Sequence, residues 1–150
     1  MAKIPRTVKI KKGGVEFTSN IDKTKYLISE LIRAANLDVG KLIRRRMLEK
    51  LRKDRRGMRR SKRLARAFQF WARKMENDLV IGIKHNTWYG VEQELGTRNQ
   101  PKRDVLKSTV MENIDDIRRI QGQYISAIEE ENKATGLIRP NDEGDNNEND

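Results

Sequence analysis

Ile28, Ile32, Ala35, Val39, Ile43, Met47 and Leu51 recur at steps of three or four residues, the interval at which side chains return to one side of an α-helix. No other feature restricts the fold so strongly. A stripe of this length predicts a helix from Asp22 to about Lys53 whose apolar face the rest of the chain must cover. Ser19, Asn20 and Asp22 all suit its N-cap. Continuity is challenged at one place, Asn36-Leu37-Asp38-Val39-Gly40, where Asn, Asp and Gly weaken a helix and can split it in two.

The covering elements are legible on either side. Thr7-Val8-Lys9-Ile10-Lys11-Lys12 and Val15-Glu16-Phe17-Thr18 alternate apolar with polar residues around Gly13-Gly14, which predicts a hairpin with a two-residue turn at positive φ. Phe68, Phe70 and Ala72 alternate likewise, and after Glu76-Asn77-Asp78 so do Leu79, Ile81 and Ile83, giving two antiparallel strands joined by an Asn-Asp turn. Leu106, Val110, Ile114, Ile117, Ile120, Tyr124 and Ile128 mark a second long amphipathic helix, from about Arg103 to Asn132, ended before Gly136 and Pro140. The order strands, helix, strands, helix predicts an α+β fold, two long helices packed on a small antiparallel sheet. We expect a single domain over residues 1–139, with an N-terminal hairpin arm at 1–20, an exposed basic loop at 54–66 and a disordered acidic tail at 140–150.

Composition bears mainly on partners. With 35% hydrophobic and 37% charged residues, part of the chain is expected to pack only against a partner. Residues 41–74 hold 16 bases against Glu49 and Asp54, so this segment exceeds the +11 of the whole chain and leaves the remainder slightly acidic. Residues 141–150 contain Asp142, Glu143, Asp145, Glu148 and Asp150 with no base and no apolar residue. Such a tail cannot bury enough surface to offset its ordering entropy, and it is expected to attract the basic middle until a polyanion displaces it. Cysteine is absent, which excludes disulfide scaffolds, thiolate nucleophiles and cysteine-based metal sites and suits a reducing compartment. The longest apolar run, Leu79-Val80-Ile81-Gly82-Ile83, is far short of the ~20 residues that cross a bilayer. We therefore expect no membrane span and no signal peptide.

Catalytic constellations are not found. His85, the one histidine, is expected as a strand-end surface residue, without the orienting partner and nucleophile that catalysis needs. Glu92 and Glu94, two apart, point in different directions on a helix, and Asp115-Asp116 are expected on a solvated helix face. Walker-type, HExxH and calcium-loop patterns are absent. No enzyme, cofactor, metal site or catalytic residue is expected. The bases Arg44, Arg45, Arg46, Arg55, Arg56, Arg59 and Arg60 are candidates for salt-sensitive contact with DNA backbone or with an acidic partner. Phe68, Phe70 and Trp71 are expected to pack rather than stack on bases.

Two resemblances sharpen these expectations. Residues 32–45 resemble the helix-turn-helix of tetracycline-repressor-like regulators, with Lys41, Arg44 and Arg45 toward DNA. Ile32 stands where that family has a small Ala, and Asn36 where it has the turn glycine. A DNA-binding regulator of this kind, or another nucleic-acid-binding protein, is the alternative reading.

Tyr89-Gly90-Val91-Glu92-Gln93-Glu94-Leu95-Gly96-Thr97 resembles the Tyr-Ala-x-x-x-Glu-x-Gly-Thr signature of head-tail joining (tail-completion, neck) proteins of long-tailed bacteriophages. Tyr89, Glu94, Gly96 and Thr97 fall on the signature without gaps, and Gly90 replaces its usual alanine. In that family the signature follows a β-hairpin and leads through a Pro-containing loop into a closing helix; here residues 68–85, Pro101 and Val105-Leu106 take those places, Val105 standing for the usual aromatic. Gly57-Met58-Arg59-Arg60-Ser61 is similar to the family's Gly-x-Leu-Arg-x-Ser segment, without the Asp-Thr that precedes it. The resemblance spans residues 21–130. It implies a non-enzymatic virion protein of the neck, made in the host cytoplasm, that assembles with neighbouring copies as a ring between head connector and tail proteins around the DNA channel. The motif itself reads physically as a corner: Gly96 at positive φ, Glu94 accepting from backbone amides, Tyr89 with its ring buried.

Overall fold

The computed structural model describes residues 5–53 and 66–129. The N-terminal hairpin forms as expected: β1 (Val8–Lys12) pairs antiparallel with β2 (Val15–Ser19), joined through Gly13 and Gly14, both at positive φ. Helix α1 (Ile21–Lys53) follows, then the hairpin β3 (Phe68–Arg73) and β4 (Asp78–Ile83), and three helices, α2 (Trp88–Leu95), α3 (Val105–Glu112) and α4 (Ile114–Ser126). A 3-10 turn, Ala127–Glu129, ends the described chain. The architecture is α+β with two separate two-stranded sheets. The greater part of the expected basic loop, with Arg55, Arg56, Arg59, Arg60 and the segment around Gly57, lies outside the described residues, as do residues 140–150.

Helix α1 is the spine. Its 33 residues span about 50 Å at 1.5 Å per residue, with Asp22 in the first turn and Lys50, Arg52 and Lys53 in the last, the charge order the helix dipole favours. Val39, Ile43, Met47 and Leu51, one turn apart, form the main core with Ala67, Phe68 and Val105. Each fully buried side chain of this size contributes roughly 1.5–3 kcal/mol. The N-terminal half of the helix differs from expectation. Leu31, Ala34, Ala35 and Leu37 are buried there, while Ile28 and Ile32 are only half-buried, because this half is covered by α4 through Tyr124 and Ile120.

The helix does not break at residues 36–40. Each residue that weakens it locally makes a tertiary contact: the Asn36 amide donates to the Asn77 carbonyl at 3.3 Å, Asp38 accepts from the Tyr124 hydroxyl, and Gly40 lies against Phe70. A Cβ at Gly40 would sit 2.7 Å from Phe70 Cγ, so the bare backbone is what lets the second sheet approach. Packing outweighs the propensity cost of about 1 kcal/mol.

In that sheet Phe68 pairs with Ile83, Phe70 with Ile81 and Ala72 with Leu79, with one face turned to α1. The connection is residues 74–77 rather than the expected Asn-Asp turn, because Asp78 already belongs to β4 and pairs with Arg73. Arg73 and Asp78 close the turn as a side-chain pair. The Arg73 hydrogen bond holds the Asp78 carboxyl below the usual carboxylate range. Its contribution is present above the ordinary carboxylate pKa and is lost as pH falls through the lowered one. The turn is pinned to α1 by Ser29, whose hydroxyl donates to the Asn77 side-chain oxygen at 3.0 Å. It is pinned also by Lys74, which reaches the buried Glu30 at 2.7 Å.

The expected second long helix is two helices. Asn113, at φ −113° and ψ 20°, separates α3 from α4, its side-chain amide bound to the Thr109 carbonyl at 2.8 Å. Asp115 and Asp116 thereby fall in the first turn of α4, a favourable place for acids. Asp116 pairs with Arg119 at 2.8 Å.

Candidate functional site

The stretch Tyr89 to Thr97 folds as helix α2 and the tight bend after it. Gly96 ends the helix at φ +79° with its amide on the Glu92 carbonyl at 2.8 Å. A Cβ there would meet the backbone of Lys102 at 2.8 Å, so both the dihedral and the space require glycine. Thr97 and Gln100 exchange backbone hydrogen bonds of 2.9 and 3.1 Å, closing a small loop. The chain then runs back along α2, where the amides of Arg103 and Asp104 donate to the carbonyls of Gln93 and Glu94. Carbonyls left open at the end of a helix are satisfied in this way by the following segment.

Glu94 completes the exchange. Asp104, the N-cap residue of α3, is left-handed at φ 53° and makes no side-chain cap. The Glu94 carboxylate caps the helix instead, accepting from the amides of Val105 at 2.9 Å, Leu106 at 2.8 Å and Lys107 at 3.3 Å. A carboxylate on three orphan amides also meets the positive end of the helix dipole. Helix α2 thus caps α3 with a side chain, and the loop into α3 caps α2 with its backbone.

Tyr89 and Gly90 face inward. Tyr89 packs against the main core and stands edge-on to Trp88, with ring centroids 6.3 Å apart. Gly90 is buried, and a Cβ there would lie 2.9 Å from Ile83 Cγ2 and 3.0 Å from the Ala67 Cβ. Glycine in place of the signature's alanine therefore matches the close seating of α2 on the strand end. The opposite side of α2 carries Trp88, Val91 and Leu95, all exposed. This apolar ridge was not singled out in the sequence, although its 88, 91, 95 spacing is helical.

The three successive arginines of α1 separate. Arg44 and Arg45 join Lys41, Arg52, Leu48, Glu49 and Phe70 around an open cleft of about 330 Å³, their positions forming one helical stripe. Arg46 turns toward α4, reaching Glu49 at 3.4 Å and Asp116 at 3.9 Å. Arg52, the fourth base at the cleft, was not among the expected contact residues. Arg66 is exposed just before β3; Arg55, Arg56, Arg59 and Arg60 lie outside the described residues.

The helix-turn-helix expectation is corrected. Residues 32–45 lie wholly within α1, with no turn to aim a second helix, because Leu37, Val39 and Gly40 are buried along its length. Glu92 and Glu94 sit on a helix, and Glu94 is engaged in capping. His85 is exposed two residues past β4. Among the described residues no group of three or more metal-ligating side chains occurs and no helix is long and apolar enough to cross a membrane. Comparison with protein-family models, curated proteins and solved structures gives no match to this chain.

Proposed function

We propose that this chain is a structural, non-enzymatic component of the neck of a long-tailed bacteriophage. In this reading it joins the filled head to the tail as a ring of identical subunits around the DNA channel. The observation that carries the reading is the Glu94 cap. All four signature positions serve one purpose, fixing the angle between α2 and α3: Tyr89 seats α2 on the core, Glu94 caps α3, Gly96 makes the turn and Thr97 closes the loop. A signature built of residues with a joint geometric duty is expected of a scaffold protein, whose surfaces must be held in register with its neighbours. The order of hairpin, motif, Pro-containing loop and closing helix agrees with the resemblance as well.

Ring subunits related by a rotation need two different surfaces that fit each other. The basic cleft on α1 suits sequence-independent contact with DNA backbone. Head connector and tail proteins are the remaining partners, and no cofactor is called for. The protein acts in the virion neck after synthesis in the host cytoplasm.

The test is a phage with this gene interrupted. DNA-filled heads and separate tails should accumulate, and adding the purified protein to the lysate should restore infectious particles; a normal yield of joined virions without the chain would sink the proposal. Selection from random duplex DNA across a salt series checks the regulator. Retention of a palindromic site at physiological salt would favour it.

A further inference from the structure

The N-terminal hairpin and a groove elsewhere on the molecule are both apolar and both uncovered. The β1–β2 register puts Val8, Ile10, Val15 and Phe17 on one face, and all four are exposed, Ile10 by 57% and Phe17 by 70%. A two-stranded hairpin is at best marginally stable in water without a surface to lie on. The groove, about 310 Å³, runs between α1 and α4 and is lined chiefly by Leu31, Ile32, Ala35, Tyr124, Ile125 and Ile128. Two amides complete it and no lining residue is charged, in a chain that is 37% charged.

We propose that the hairpin is an arm that lies, apolar face down, in the α1–α4 groove of a second copy of this chain. The inference rests on the ring reading and identifies its two complementary surfaces. Charge favours the match. The arm carries Arg6, Lys9, Lys11 and Lys12 against the single acid Glu16, and in the sequence the groove residue Ile128 is followed directly by three glutamates, Glu129, Glu130 and Glu131. A hairpin of two five-residue strands removes on the order of 500 Å² from each partner. Each interface between ring neighbours then buries about 1,000 Å² in all, the lower bound for a specific contact.

The occupant is another copy rather than the chain's own arm. Every residue of both strands is exposed, and only Asn20 separates the arm from α1. The Asn20 carbonyl accepts both the Thr24 amide at 2.9 Å and the Thr24 hydroxyl at 3.0 Å, which sets the direction in which the arm leaves. The groove begins about ten residues further along, about 15 Å up the helix, and folding back onto it would undo that first turn.

The absence of cysteine allows site-specific cross-linking of the full chain. Ser19→Cys places a thiol at the end of the arm's apolar face, where Ser19 pairs with Val8. Gln121→Cys places one in the groove. Neither change removes an apolar contact. The two proteins, one enlarged by a tag, are mixed and treated with a short bismaleimide. A mixed dimer is expected, with its yield reduced tenfold or more when Phe17→Asp is added to the arm and the helical circular dichroism unchanged. Absence of the mixed dimer, an undiminished yield with Phe17→Asp, or preferential linking to Val91→Cys on the α2 ridge overturns the pairing. So does a double variant that links only within one chain at every concentration. Wild-type multimers seen by light scattering without the cross-link would refute the arm and spare the ring. A cross-linking arm in a protein whose loss leaves virions intact would refute the neck reading and spare the arm.

Discussion

Gly40 shows how a single residue misleads when it is read only along the chain. Glycine in a helix interior costs about 1 kcal/mol against alanine, and with Asn36 and Asp38 it marks a break. In the folded protein the missing Cβ is the space that Phe70 occupies, and the ring is buried there. Gly40→Ala should therefore destabilise in spite of its better propensity, by about 1–3 kcal/mol as overpacking does, read from urea unfolding midpoints. Combination with Phe70→Leu should cost less than the sum of the two changes, because the residues share one contact. Of the two motif glycines, Gly96 was legible in the sequence and the role of Gly90 was not. Gly96 ends a recognisable motif and takes the positive φ expected of it, whereas the closeness of Gly90 to Ile83 and Ala67 depends on partners distant in sequence.

Among the elements, the strands and α1 were legible because their period is local, 2 for the hairpins and 3.6 for the helix. Which side of the second hairpin faces inward followed from alternation, since a one-residue slip would turn Phe68, Phe70, Ile81 and Ile83 to the wrong face. The pairing of Phe68 with Ile83 did not, because a slip of two residues keeps the faces. The division of the C-terminal helix at Asn113 was not legible, because the apolar spacing from Leu106 to Tyr124 runs through it without a change of phase. Nor was α2, eight residues long, whose helical form depends on tertiary capping at its end. Glu94 was expected to accept from amides, but which amides, those of α3, only the folded chain reveals. Glu94→Ala should cost about 1.5–3 kcal/mol, the range for hydrogen bonds to charged groups, and Glu94→Gln about half as much. Amide exchange should quicken first at Val105 and Leu106, which distinguishes loss of the cap from general unfolding.

At the scale of the whole molecule, bases and apolar side chains are gathered into separate surface patches. Arg44, Arg45, Lys41 and Arg52 share one cleft, and Arg44→Gln with Arg45→Gln should lower the slope of log affinity for duplex DNA against log salt by about 2, with no change in sequence preference. Fluorescence anisotropy across a salt series reads this directly. The sequence by itself determined the class of fold, the two hairpins, the long helix, the basic middle and the motif, because alternation, helical period and charge are written in neighbouring residues. Only the tertiary structure decided that the long helix stays whole, that Glu94 caps α3, that Arg46 turns away from Arg44 and Arg45, and that the α1–α4 groove exists. Each of these depends on which surfaces meet, and a chain's local periods carry no record of the distance between residues that folding brings together.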